Sequence, residues 1–273
     1  MAASEQTEVV IVSIFVNPAQ FAPHEDYNRY PRNIGQDVAA LKALPPRDDG
    51  RPRVNAVFAP ESVGEMYPRG ISLHVPEQVG TFVEVLGLSS QLEGIARPHF
   101  FRGVATVVTK LFSAIQPEMA FFGQKDIQQC CIIRALVEDL LMPIKVVIVP
   151  TQRDSRTGLA LSSRNAYLSE DERAKWAPIF YQGLSGAVQA YESEGERRAA
   201  VLLALVRDTI KNTEGSERLD IEYISLVDPA TLKEITDSIE DATGAVLCGA
   251  WKMGSTRLID NVLLGVPFVP EDK

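Results

Sequence analysis

The stretch Phe121-Phe122-Gly123-Gln124-Lys125-Asp126 places a lysine where an apolar run ends and a helical pattern begins. In an open α/β sheet, ligands bind in the crevice beyond the carboxyl ends of the strands. A helix N-terminus with a lysine beside it suits a phosphate there. The competing reading is an exposed turn with a solvated lysine. A second candidate is Gly158-Leu159-Ala160-Leu161-Ser162-Ser163-Arg164-Asn165, with two hydroxyls and a guanidinium in a row. These donors match polyphosphate oxygens, the arginine binding them as a fork; a polar turn between domains is the plain alternative. A third is Asn17-Pro18-Ala19-Gln20-Phe21, and Gln128 and Gln129 follow Lys125. Neutral amides both donate and accept, which suits a small polyol acid, although capping and loop hydrogen bonds are the usual work of such residues. Arg97 and Arg102 flank Pro98-His99-Phe100-Phe101 and either meet an anion or remain surface charges. His99 has no partner in the sequence that would make it a general base. Tyr67-Pro68 and Trp251 read as packing. Neither Gly-x-x-x-x-Gly-Lys-[Ser/Thr] nor Gly-x-Gly-x-x-Gly occurs, which argues against a P-loop hydrolase and a typical dinucleotide oxidoreductase.

The elements that must position these residues alternate in the first half. Residues 9–16 are an almost unbroken β-branched run, predicting a strand covered on both faces. Asn33 can cap a helix to about residue 44, residues 45–53 form a polar loop, and residues 54–59 return as a strand. That is one β–α–β unit with a parallel pair. Val104, Val107, Val108, Leu111, Phe112 and Ile115 make one apolar helix face. A short strand at 119–122, a turn, a helix from 127 to about 142 and a buried strand at 145–149 complete a second unit. The expectation is a Rossmann-like, doubly wound α/β domain over residues 1–151. Residues 152–273 change character, and a smaller α+β lid domain is expected there. Ser169 and Glu172 form a capping box for a helix to about 191, with Pro178 inside it. A second helix covers about 197–211, followed by strands near 221–227, 245–250 and 257–261.

Composition narrows the function classes. The 273 residues carry 27 Lys+Arg against 36 Asp+Glu, a net charge of −9. Such a chain, without basic blocks, is a poor binder of nucleic acid or anionic membranes. No apolar run approaches the ~18–20 residues that span a bilayer. The 3 cysteines, Cys130, Cys131 and Cys248, have no metal or redox spacing and predict a reduced, cytoplasmic protein. The 3 histidines, His24, His74 and His99, are dispersed, and no metal site is expected.

Together these motifs resemble pantothenate synthetase, the pantoate–β-alanine ligase family. The resemblance rests on residues 13–21, Tyr30-Pro31-Arg32, Phe122-Gly123-Gln124-Lys125-Asp126-Ile127-Gln128-Gln129, Leu161-Ser162-Ser163-Arg164-Asn165 and Leu258-Ile259-Asp260-Asn261. It runs from about residue 7 to about 264. It implies a nucleotidyltransferase-type fold, usually a homodimer, that makes pantothenate from pantoate, β-alanine and ATP through a pantoyl adenylate. Pyrophosphate and AMP leave, Mg2+ accompanies ATP, and no organic cofactor is needed. It implies that Gly123, Gln124, Lys125 and Asp126 contact ATP and that Leu161, Ser162, Ser163 and Arg164 hold its phosphates. Lys125, Ser162, Ser163 and Arg164 would be catalytic. Gln152 stands where the family has an apolar residue, so only a main-chain contact with the nucleotide carries over. Gln20 and Gln129 would bind pantoate, Gln20 also meeting β-alanine, with Asn17, Tyr30 and Arg97 in the same pocket.

The sequence departs from the family at its start. The family's first strand, its Pro-Thr-Met-Gly turn and its His-x-Gly-His motif do not occur, and no pair of histidines here has that spacing. Donors at a developing charge are worth ~3–4 kcal/mol each, and the first strand of a doubly wound sheet is central. The expectation is therefore a shortened product starting at an internal methionine, with unpaired strand edges, weak ATP binding and little ligase activity. An upstream targeting segment stays open. The alternatives are a non-catalytic homologue acting as a dimer partner or metabolite binder, and a nucleotidyltransferase for another acid. The retained Lys125, Asp126, Ser162, Ser163 and Arg164 favour the ligase.

Overall fold

The computed structural model describes residues 1–265; residues 266–273 of the expected second domain lie outside the described residues. The chain forms two compact units: Met1–Phe121 with Ile132–Val146, and Phe122–Cys131 with the chain from Val147 onward.

In the first unit β1 (Ile11–Ser13) pairs in parallel with β2 (Ala56–Phe58), Ile11 opposite Ala56 and Ser13 opposite Phe58. Between them lies α1 (Ile34–Lys42), capped by the Asn33 side chain, which accepts the Gln36 N–H at 3.1 Å. This is the β–α–β unit that the sequence predicts. The strands are shorter than expected, and β1 is not covered on both faces, since Ile11 is 43% exposed. Its one strand neighbour among the described residues is β2, so its β-branched side chains stand at an edge. No residue of α1 is buried.

The helix α2 (Phe100–Ile115) buries Val104, Val107, Val108 and Phe112, the inner part of the predicted stripe. It starts early enough to include Arg102 and Gly103. Next come β3 (Met119–Gly123), a 3-10 turn over Gln124–Asp126, α3 (Ile127–Asp139) and β4 (Lys145–Val149), the last hydrogen-bonded to β3. α3 ends at Asp139 rather than near 142, because Leu141 turns left-handed (φ 51°). The Met142 N–H then bonds the Val137 carbonyl at 2.9 Å. β4 is not buried throughout: Val146 and Ile148 face inward and their neighbours do not. The two strand pairs are separate ladders among the described residues. The α/β class is the expected one, with helices joining paired strands and an antiparallel sheet at the C-terminal end.

The second unit is built on that sheet, β5 (Asp220–Val227), β6 (Ala245–Met253) and β7 (Thr256–Leu264) in sequential order. The capping box forms as predicted, with Ser169 N–H to Glu172 Oε2 at 2.7 Å and Glu172 N–H to Ser169 Oγ at 3.2 Å. The expected single helix behind it is split. A π-type turn at Glu172–Trp176 gives way to α4 (Ile179–Ser193) just after Pro178. Proline lacks an N–H, and its ring displaces the carbonyl one turn back, so the break falls there. α5 (Ala199–Asn212) packs along α4, and both cover a core containing Leu184, Leu202, Val206, Leu226 and Leu247. Trp251 is packing, as expected: its ring stacks on Phe180 at 4.1 Å. A Cβ on Gly249 would lie 2.5 Å from the Phe180 ring, so only glycine leaves room for that stack.

Candidate functional site

In the first unit, the turn Pro18–Gln20 is laid onto α2. A Cβ on Gly103 would come within 2.2 Å of the Ala19 carbonyl oxygen, so glycine permits the approach. Asn17 caps the turn and is 3% exposed. Its Oδ1 accepts from the Tyr67 hydroxyl at 2.6 Å and the Ala19 N–H at 3.3 Å. Its Nδ2 donates to the Gln20 Oε1 and to the Gly103 carbonyl, each at 3.0 Å. Every polar position of the Asn17 amide is thus used by the protein. Gln20 itself is half-buried, and its Nε2 has no protein acceptor among the described residues.

Arg97 lies beside this turn. It forms a two-pronged pair with Glu25 (Nε–Oε1 2.5 Å, Nη2–Oε2 2.9 Å), reaches the Gln20 carbonyl at 3.3 Å and stacks over the Phe100 ring at 3.8 Å. Both partners are mostly shielded, so the guanidinium charge is balanced locally. Tyr30 packs edge-on against Phe21, ring centroids 5.6 Å apart. Tyr67, read from the sequence as packing, is indeed buried but also polar in function. Burial drives its phenol far above the ordinary range. Lys110 Nζ sits 3.7 Å from the Tyr67 ring centroid, donates to the Met66 carbonyl at 2.6 Å, and has its pKa lowered by burial.

In the second unit the turn Gln124–Asp126 is held by one residue of β7. Asn261, 1% exposed, donates its Nδ2 to the carbonyls of Gln124 (3.0 Å) and Lys125 (2.9 Å). Its Oδ1 accepts from Gln124 Nε2 at 3.1 Å. Gly123 ends β3 in extended backbone, and the Cys130 thiol reaches its carbonyl at 3.4 Å. The Lys125 side chain is mostly shielded, its Nζ 3.9 Å from the more exposed Asp126 carboxylate. Gln128 is buried, whereas Gln129 is half-buried.

The neighbouring residue on β7 anchors the other phosphate candidate. Asp260, 2% exposed, takes both Nη atoms of Arg153 at 2.6 and 2.9 Å, and the guanidinium stacks over Tyr181 at 3.8 Å. Arg153 opens a tight loop closed by Leu161 N–H to the Gln152 carbonyl at 2.8 Å, so that carbonyl is engaged; the Gln152 side chain is exposed. Inside the loop Asp154 accepts from Thr157 N–H, Arg156 N–H and the Thr157 hydroxyl, all at 3.0 Å or less. These bonds hold its carboxyl below the ordinary range. Ser162 then caps a 3-10 segment, Ser163–Tyr167, by accepting the Arg164 N–H at 3.3 Å. Leu161, Ser162 and Ser163 wall a cleft of about 840 Å3 shared with Arg156 and Arg173; Lys125 and Arg164 are not on its walls. The segments 124–126 and 163–167 both pack on β7. The structure therefore gathers the two phosphate candidates of this unit on one strand. The sequence reading missed the residues that do the gathering, Arg153, Asp260 and Asn261; the match at 258–261 was the available signal.

A lysine-bearing strand-to-helix turn and a hydroxyl–guanidinium segment packed on one strand of an α/β frame make a site chemically suited to phosphates. Comparison with known proteins makes this specific. The family model described as pantoate-beta-alanine ligase matches residues 1–263. A pantothenate synthetase of Herpetosiphon aurantiacus is 44% identical over 94% of this chain and 84% of its own length. The crystal structure of pantothenate synthetase from Thermus thermophilus superposes with a TM-score of 0.82 at 38% identity, covering 97% of this chain and 87% of that one. That of Francisella tularensis pantoate-beta-alanine ligase, complexed with Beta-gamma ATP and β-alanine, gives 0.64 at 29%, covering 98% and 84%. The chain belongs to the pantoate-beta-alanine ligase family, whose members are ATP-dependent enzymes that condense pantoate with β-alanine. The comparisons lend no support to the expectation of a shortened, impaired product, or to the non-catalytic alternative. No helix among the described residues is long and apolar enough to cross a membrane.

Proposed function

We propose that this chain makes pantothenate in two steps, with its residues in the following roles. A pantoate carboxylate oxygen attacks the α-phosphorus of ATP, and the bond to pyrophosphate breaks. The β-alanine amine then attacks the acyl carbon, the bond to AMP breaks, and the amine sheds its proton. Gly123, Gln124, Lys125 and Asp126 contact ATP, and Lys125 Nζ offsets the charge that builds on the α-phosphate. Leu161, Ser162, Ser163 and Arg164 hold the phosphates, and Gln152 meets the nucleotide through its main chain. Gln20 and Gln129 bind pantoate, with Gln20 also meeting β-alanine. Asn17, Tyr30 and Arg97 belong to the same pantoate pocket. Magnesium arrives with the ATP phosphates as part of the substrate. Among the described residues no group of three or more His, Cys, Asp or Glu is placed to hold a metal of its own. Residues 1–151 serve as the nucleotide- and pantoate-binding domain and 152–273 as the smaller one, in a cytoplasmic homodimer.

The observation that carries this reading is the packing of 124–126 and 163–167 on β7, with Asn261 fixing the backbone on either side of Lys125. Pantoate labelled with 18O in its carboxylate tests it. One label should pass into AMP. Label in inorganic phosphate, with ADP as co-product, would contradict the adenylate.

A further inference from the structure

We propose that Tyr67 is a positioning residue that tightens the Asn17 amide and, through it, the hold on the end of the Gln20 amide that faces the substrate. The inference rests on the assignment of Gln20 to pantoate. It begins with a carbonyl that can only accept, that of Gly103, 3.0 Å from one end of the Asn17 amide. That end must be the nitrogen. The other end must be the oxygen, because two donors converge on it, the Tyr67 hydroxyl at 2.6 Å and the Ala19 N–H at 3.3 Å. The second hydrogen of Asn17 Nδ2 then points to Gln20, and Gln20 answers with its oxygen at 3.0 Å. Its Nε2 is left facing outward, a donor without a protein acceptor among the described residues.

The polarity of Gln20 is therefore imposed through Asn17. It offers a donor, so it selects an oxygen lone pair, a carboxylate or hydroxyl of the acid, over an ammonium group. The shorter of the two bonds that fix Asn17 Oδ1 comes from Tyr67. Tyr67 is itself held: it is 4% exposed, and Lys110 Nζ rests 3.7 Å from its ring centroid while donating to the adjoining Met66 carbonyl. Burial raises the phenol's pKa, which keeps the hydroxyl protonated and donating. Without that hydroxyl, Asn17 keeps its Gly103 bond and the longer Ala19 bond but loses the shorter bond at its oxygen, so the amide that orients Gln20 is held less firmly.

The test is a double-mutant cycle read by calorimetric titration with pantoate, using the full chain, Tyr67→Phe, Gln20→Ala and the double variant. Tyr67→Phe should weaken pantoate binding by up to about tenfold, the effect of loosening one hydrogen-bond donor. In the Gln20→Ala background the same change should cost nothing further, because a relay through Gln20 has nothing left to orient. Melting curves of each variant report the fold separately. An equal loss in both backgrounds would overturn the relay and make Tyr67 a general support of the fold. An unaltered chain that does not bind pantoate, or a Gln20→Ala variant that binds it normally, would overturn the assignment of Gln20 and the relay with it.

Discussion

Two buried asparagines, one in each unit, hold the turns to which the proposed function assigns the substrates, and they do so at different range. Asn17 caps its own turn, and its side chain orients the side chain of Gln20, three residues on. Asn261 reaches a turn 136 and 137 residues earlier in the chain and fixes mainly backbone, the carbonyls of Gln124 and Lys125. The first arrangement sets the polarity of one amide. The second sets the path of a main chain from which a lysine projects. The turn Pro18–Gln20 is close to self-sufficient, needing α2 only for the Gly103 carbonyl and Tyr67 for one hydroxyl. The turn Gln124–Asp126 depends on β7 being in register.

That dependence is best broken next to Asn261. Asp260→Ala would strand Arg153 without its carboxylate in a largely shielded place, and breaking such a pair costs about 3–5 kcal/mol. Denaturant unfolding should show that loss. Asn17→Ala should leave the protein far more stable than Asp260→Ala does, and comparable losses would erase the distinction between the two regions.

The next test separates the two asparagines by substrate. Asn261→Ala leaves two carbonyls without their donor, a cost of about 1–3 kcal/mol. It should raise KM for ATP and leave KM for pantoate near its original value. Asn17→Ala should do the reverse. A shared response to both substrates from either variant would mean that the turns are not specialised.

The smallest effect lies in the loop that follows Arg153. The Asp154 carboxyl is held below its ordinary value of 3.8 by hydrogen bonds from Thr157 and Arg156. A depressed carboxyl gives its stabilisation above the unfolded value and loses it as pH falls through the folded one. The unaltered chain should therefore lose more melting temperature on acidification than Asp154→Asn does. Parallel melting-temperature profiles would remove Asp154 from the account.

What could be read from the sequence follows the same division of range. Asn33 as a cap, the Ser169–Glu172 box and the valine stripe of α2 involve partners within a few residues, and each is present as predicted. The strand at residues 9–16 was readable as a strand but not in its length or burial, because those depend on neighbouring strands. Pro178 was visible as a disturbance, yet whether it kinks or splits a helix depends on what packs beside it. In the candidate site, the types and spacing of Lys125, Ser162, Ser163 and Arg164 suggested phosphate chemistry, and the structure packs their segments on one strand. The long-range roles of Arg153, Asp260 and Asn261 were not legible, since nothing local marks a contact spanning more than a hundred residues, although Asp260 and Asn261 stand in the matched 258–261 motif. Tyr67 was read as packing because burial and a hydrogen-bonding role look alike in a Tyr-Pro pair.

The most direct measurement is AMP release by the purified chain with ATP, pantoate and β-alanine, beside Lys125→Ala. The unaltered chain should release AMP only when both pantoate and β-alanine are present. Lys125→Ala should lower the rate by about two to three orders of magnitude without loss of fold, the scale of removing one donor to a developing charge. AMP release that is unaffected by Lys125→Ala, or none from a folded, unaltered chain, would contradict the assignment of this turn as the place where the adenylate is made.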